Sequence, residues 1–324
     1  MSILGRPIVA LLPFVPRFIV RWISKRYVAG ENIDQAMSVI KKLRSNNTCF
    51  TIDVLGEEIK NMSEASYFMN EYSALLDAII DNDIDANISI KPTALGLLID
   101  GEETSKNLTK ILVKASKNNI FVRLDMEDNR VTQSTIDLVY EMHKKGLNNV
   151  GTVLQGRLFR TENDIENICS MTLKNSDFRI CKGIYLESND IAYTNHKDIV
   201  DSVINCINLM LENGAYTAIA SHDDDIIACS LDSLKKRSMG PELMDPRKNA
   251  GIKLPGKGNG YEFQFLLGVR GNERRKLAKE GHLTRIYVPY GSRWYEYSMR
   301  RLRENPEIAM HVAKAFLLPW TNRR

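Results

Sequence analysis

Residues 120–154 read IFVRLDMEDNRVTQSTIDLVYEMHKKGLNNVGTVL, and this stretch decides the fold class. A β-rich run at 120–125 is followed by helical periodicity over 132–145 and then by a second β-rich run at 150–154. Strand, helix and strand in succession is the unit from which parallel α/β sheets are built. The same rhythm extends in both directions. Further strands are predicted at 49–54, 87–91, 177–182, 216–220, 261–267 and 285–288. Helical patterns follow at 64–80, 105–117, 162–173, 197–212, 223–236 and 271–280. The last unit ends in YGSRWYEYSMRRLRENP, residues 290–306, which reads as a helix from a Ser292 cap to a Pro306 stop. Eight strand-then-helix units predict a (β/α)8 barrel of the distorted TIM type. A doubly wound sheet competes, but nothing in such a sheet stops the count at eight. The glycine-rich GIKLPGKGNG at 251–260 precedes a strand, whereas a dinucleotide-binding fingerprint follows one. The expected division is an N-terminal helical arm over 1–45 and a barrel over 46–324 carrying a C-terminal lid helix and tail.

A chain of 324 residues with 44% hydrophobic content is long enough to bury a substantial core. The net charge of +4 sets up no single-sign field, so no nucleic acid partner is expected. Five cysteines without CxxC spacing argue against a disulfide framework and a zinc site; no metal is expected, and a reducing, cytoplasmic compartment is. The apolar, basic stretch GRPIVALLPFVPRFIVRWISKRY is interrupted by prolines at 7, 13 and 16, too closely for a membrane span. It is either an arm packed on the main body or one lying on an anionic membrane surface, with Arg17, Arg21, Lys25 and Arg26 at the headgroups.

Barrel chemistry sits at the carboxyl ends of the strands. There the sequence is expected to place Lys91; Asp125 and Glu127; Gln155; Arg179, Lys182 and Tyr185; Ser221 and His222; Glu262 and Gln264; and Tyr287. On the final helix Tyr297, Arg300, Arg301 and Glu304 share a polar face. Each residue alone has an ordinary structural explanation, but so many ionic groups converging on one rim need partners, and a ligand is one.

IKPTALG, LDMED, VLQGRLFRT, RICKGIYLE, SHD, YEFQFLLGVR and above all YGSRWYEYSMRRLRENP, in this order and spacing, resemble the proline dehydrogenase family. The resemblance spans roughly residues 27–318, and the length is similar to that of the single-activity bacterial form. It implies FAD-dependent oxidation of L-proline to Δ1-pyrroline-5-carboxylate, by hydride transfer to flavin N5. Electrons would pass to a quinone, which would give the arm a peripheral role on the inner face of the cell membrane.

Carried over residue by residue, the resemblance implies that Arg300 and Arg301 clamp the substrate carboxylate, with Lys91 as a third positive charge. Tyr287, Tyr297 and Tyr185 would line the pocket, with Glu304 on the same helix face. Asp125 and Arg179 would be the catalytic pair, Asp125 ordering Arg179 or Lys91 rather than taking a proton. Cofactor contacts would come from Met126, Gln155, Arg179, Lys182, Gly183 and Ile184, with Ser221, His222 and Glu262 around the rest of FAD. Glu57 resembles the carboxylate that pairs with the first lid arginine. The bulk of Tyr287 would favour proline over 4-hydroxyproline. Gly156 and Arg157 depart from the family pattern, a small residue followed by an aromatic. Rival readings are a 4-hydroxyproline dehydrogenase of the same family, a Schiff-base aldolase using Lys91 or Lys182, and a membrane-surface binder using the basic arm.

Overall fold

The computed structural model describes residues 17–247 and 256–304; the side chains of residues 19, 23 and 300–304 lie outside that description. Two helices, α1 (Arg17–Ser24) and α2 (Ile33–Leu43), precede strand β1 (Thr48–Val54). The chain then alternates: α3 (Ala65–Asp81), β2 (Ala86–Ile90), α4 (Gly101–Ser116), β3 (Val122–Leu124), α5 (Asn129–Lys144), β4 (Val150–Gln155) and α6 (Thr161–Thr172). It continues as β5 (Asp177–Cys181), α7 (His196–Glu212), β6 (Tyr216–Ala220), α8 (Asp224–Lys236), β7 (Tyr261–Leu266), α9 (Gly271–Lys279), β8 (Thr284–Tyr290) and α10 (Trp294–Glu304). All eight predicted strands are present, every pairing is parallel, and β8 pairs with β1 to close the barrel.

Capping residues set several helix starts. Asp100, Asp128, Asn195 and Asp223 each accept a hydrogen bond from a first-turn N–H of the helix that follows. Side chains alternate along each strand. Outward positions such as Phe50, Ile52, Ile88, Ile90, Phe178, Ile180, Phe263, Phe265 and Ile286 are buried beneath the helices. Inward positions are largely polar, which departs from the apolar layers that usually fill such a barrel.

Two helices explain the distortion. Ala36, Met37 and Ile40 of α2 join the same core as Phe50, Ile286 and Val288, so the helix before the barrel covers the β8–β1 seam. The helix after β8 goes elsewhere: Trp294, Tyr297 and Met299 of α10 cluster with Val20 of α1, Val28 and Leu55, the residue directly after β1. Thus α10 lies at the carboxyl rim, with α1 against it. Ser24 Oγ donates to Ser298 Oγ at 2.7 Å, and the Arg17 guanidinium lies 5.1 Å from the Tyr295 ring. The described part of the arm therefore packs on the body. Among the described residues no helix is long and apolar enough to cross a membrane.

Candidate active site

Four strands bring two cations and two carboxylates together at the upper interior. Asp53 of β1, Lys91 just past β2, Asp125 just past β3 and Arg179 of β5 all face inward and are almost fully buried. Lys91 Nζ lies 2.7 Å from Asp53 Oδ1 and 3.6 Å from Asp125 Oδ2. Arg179 Nη1 donates to Asp125 Oδ1 at 2.7 Å, while its Nε donates to Gln264 Oε1 at 2.6 Å. Ser89 Oγ and Tyr287 Oη also donate to Asp125, at 2.5 and 2.7 Å, and the Arg179 guanidinium lies 5.1 Å from the Tyr287 ring centroid. The formal charges of this cluster balance.

Burial alone would raise the Asp125 carboxyl, but Arg179, Lys91 and the two hydroxyl donors hold it below the usual aspartate range. Burial would lower the Lys91 ammonium; Asp53 and Asp125 hold it well above the usual lysine range. Burial, reinforced by Asp125 and Asp53, keeps the Tyr287 phenol protonated. Lys91 is therefore an ion-paired charge, matched by Asp53 and Asp125.

A second ionic layer lies beneath the first. Glu262 is fully buried near the amino end of β7, where Arg285 Nε and Nη2 reach its two oxygens at 2.7 and 2.9 Å and Tyr216 Oη donates at 2.8 Å. Arg123 and Lys257 both pair with Asp177, and Lys257 Nζ sits 4.0 Å from the Phe121 ring centroid. Gly151 makes room for this layer, since a Cβ there would lie 2.2 Å from the Asp177 carbonyl and 3.0 Å from Arg123 Nη1. The rim placement expected for Glu262 is thus corrected. Period two puts Glu262 and Gln264 on one face, but only Gln264 lies far enough along the strand to reach Arg179.

Other predicted residues frame the opening. Gln155, at the end of β4, donates Nε2 to the Glu127 carbonyl at 2.8 Å. Glu127 accepts from Thr93 N and Thr93 Oγ1 at 3.1 and 2.6 Å, tying the ends of β2, β3 and β4 together. Strand β5 ends at Cys181, so Lys182 leaves the interior and pairs with Asp223 at 3.1 Å. Gly183 turns with φ +94, where a Cβ would lie 2.6 Å from Gln155 Oε1. Ile184 is exposed, and Tyr185 is close enough for the charges of Glu127, Lys91 and Asp125 to act on its phenol. Met126 is buried in a hydrophobic cluster that includes Ile136 and Val153. Ser221 Oγ accepts from Asp223 N at 3.1 Å, and His222 Nε2 accepts from Leu266 N at 3.1 Å. Tyr297 is buried in the cluster between α1 and α10. The side chains of Arg300, Arg301 and Glu304 lie outside the described residues. No metal-binding group of histidine, cysteine and carboxylate side chains occurs among the described residues.

Two residues central to the cluster escaped the sequence reading. Asp53 is the penultimate residue of CFTIDV, a charged residue near the end of a β-rich run much as Asp125 is in IFVRLD, so a similar signal was available. Ser89 lies two positions before Lys91 in NISIK, on the same face by period two.

Among the buried side-chain atoms left without a hydrogen-bond partner are Arg179 Nη2, a donor, and Gln155 Oε1, an acceptor. Such groups are costly to bury unmatched, and they suit a ligand presenting both an acceptor and an N–H.

The family model described as Proline dehydrogenase matches residues 36–314. Proline dehydrogenase 2 of Bacillus subtilis (strain 168) is 35% identical over 90% of this chain and 88% of its own length. Proline dehydrogenase 1 of the same strain is 33% identical, covering 95% of both chains. In three dimensions the chain is similar to proline utilization A (PutA) from Bdellovibrio bacteriovorus inactivated by N-propargylglycine, with a TM-score of 0.76 and 24% identity. That match covers 88% of this chain and 33% of the larger protein, and it bears on the fold.

Proposed function

The chain belongs to the proline dehydrogenase family, and on that premise we propose that it oxidises L-proline to Δ1-pyrroline-5-carboxylate with FAD bound at the carboxyl end of the barrel. FAD would supply the hydride acceptor, flavin N5, and the route by which electrons reach a quinone. The observation that carries this reading is the pair of unmatched atoms beside the aspartate-centred cluster, Arg179 Nη2 and Gln155 Oε1. An isoalloxazine ring offers hydrogen-bond acceptors and an N–H along one edge, which complements them.

The chain's own residues would bind and orient. Arg300 and Arg301 would hold the proline carboxylate through planar, charge-assisted hydrogen bonds. Tyr287, its hydroxyl fixed by Asp125, would set its ring against the methylenes and crowd a 4-hydroxyl group, which favours proline over 4-hydroxyproline. Tyr185 would close the same wall. Asp125 would act through position: it accepts from Arg179, Tyr287 and Ser89 and so fixes the guanidinium that would orient the cofactor. Held below the usual aspartate range, it is a poor proton acceptor, and the amine would enter as the free base. Gln155, Lys182, Gly183, Met126, Ile184, Ser221 and His222 would hold the cofactor. The arm's exposed Phe18, 73% accessible on α1, supports contact with a membrane that carries the quinone.

The aldolase reading loses support because the Lys91 ammonium is ion-paired and held well above the usual range, the opposite of an activated amine nucleophile. The deciding experiment is spectroscopic. The purified protein should be yellow, and its flavin absorbance should bleach anaerobically when L-proline is added. A colourless protein trapped by borohydride with a keto acid would overturn the assignment.

A further inference from the structure

Arg157 differs from the cations around it. Lys91, Arg179, Lys182 and Arg270 each hold a carboxylate. Arg157, half-buried, has no carboxylate within ion-pairing distance among the described residues; its Nη1 donates to the Tyr185 carbonyl, and its Nε is buried without a partner. The backbone fixes its position, since Arg157 N donates to the Lys182 carbonyl at 3.1 Å and Tyr193 N to the Arg157 carbonyl at 2.7 Å. Its stem lies against Gly183: a Cβ there would be 3.0 Å from Arg157 Cγ and Cδ and 2.6 Å from Gln155 Oε1. One glycine surface is therefore flanked by the unmatched Gln155 oxygen and by the stem of an uncompensated cation. The charge is felt inside the barrel, where it helps to oppose the rise that burial imposes on the Cys181 thiol.

A cation held partly out of water without a counter-ion favours whatever neighbour gains negative charge. Building on the FAD reading above, we infer that Arg157 is an electrostatic tuning residue for the flavin: it stabilises the electron-rich reduced ring over the oxidised one and raises the reduction potential. It forms no bond and carries no proton; both electrons come from proline. A purely structural role, in which the guanidinium only holds the Tyr185 carbonyl, makes a different prediction, because that role depends on geometry rather than charge.

The test is an anaerobic equilibration of the flavin-loaded protein against a redox dye of known potential, read from absorbance, for the parent, Arg157→Lys and Arg157→Met. At a fixed dye potential, Arg157→Met should lower the reduced-to-oxidised flavin ratio at least tenfold, equivalent to ~30 mV for a two-electron couple. Arg157→Lys should stay within about threefold of the parent because it keeps the charge. An unchanged ratio in Arg157→Met, or equal shifts in both variants, overturns the inference while leaving the FAD reading intact. If the methionine variant does not fold or hold flavin, Arg157→Gln is judged by the same criteria. A parent that takes up no FAD overturns both.

Discussion

Lys91 Nζ sits 2.7 Å from Asp53 Oδ1 and 3.6 Å from Asp125 Oδ2, so a single ammonium spans carboxylates contributed by the first and third strands. Both partners are buried, so removing the Asp53 charge leaves two buried cations, Lys91 and Arg179, sharing the single carboxylate of Asp125. Asp53→Asn should destabilise the fold by about 3–5 kcal/mol, measured by urea unfolding. The double variant Asp53→Asn/Lys91→Met should recover much of that loss. No recovery would mean that the two side chains do not act as a pair.

Stability should fall in acid. Against burial, which raises them, Asp125, Asp177 and Glu262 are all held below their ordinary range by buried cations: Arg179 and Lys91, Arg123 and Lys257, Arg285 and Lys257 respectively. A carboxylate depressed in the folded state contributes stability that is complete above its unfolded value, roughly pH 4, and is lost as pH falls through the folded one. The urea midpoint should therefore decline steeply below about pH 4. Glu262→Gln should be less stable at neutral pH but flatter along the acid limb; an equally steep limb would remove Glu262 from the account.

Gln155→Leu removes an unmatched buried acceptor, together with the Nε2 bond to the Glu127 carbonyl, and puts a similar apolar volume in their place. FAD affinity should drop roughly ten- to a hundredfold, the worth of about 1–3 kcal/mol for a buried polar partner, while the fold survives. Titration of the apoprotein with FAD checks this. Unaltered affinity would place the cofactor away from Gln155.

Arg300→Met and Arg301→Met should each raise the KM for L-proline about tenfold or more, since a charge-assisted hydrogen bond is worth roughly 1.5–3 kcal/mol. The flavin spectrum should not change. A fall in kcat at constant KM would argue against the carboxylate clamp.

Phe18→Ser should lower turnover with quinone in liposomes and spare reduction of a soluble dye, because Phe18 is exposed while α1 is anchored through Ser24 and Arg17. Deleting α1 outright is a poorer test, since it strips packing from α10 and should impair both activities. Equal loss in Phe18→Ser would count against membrane contact.

The elements were legible because their signals are local. IFVRLD and VGTVL are short β-rich runs, the segment between them has helical periodicity, and none of this requires knowledge of a distant residue. The rim list was also largely legible, since a charged residue ending a β-rich run has few other places to go. Glu262 was misplaced because parity names a face but not a depth. The Asp53–Lys91 pair was not legible because its members lie on different strands, 38 positions apart, and meet only when the barrel closes.

The repeating strand–helix unit, the count of eight and the family likeness can be read along the chain, because short-range propensity and motif order set them. Only the tertiary structure decided which charges neutralise one another. Tyr287 and Asp125 stand 162 positions apart yet meet at 2.7 Å, because closing the sheet brings inward-facing side chains of distant strands onto one axis. Electrostatic matching depends on that separation in space, which the linear order of residues does not encode.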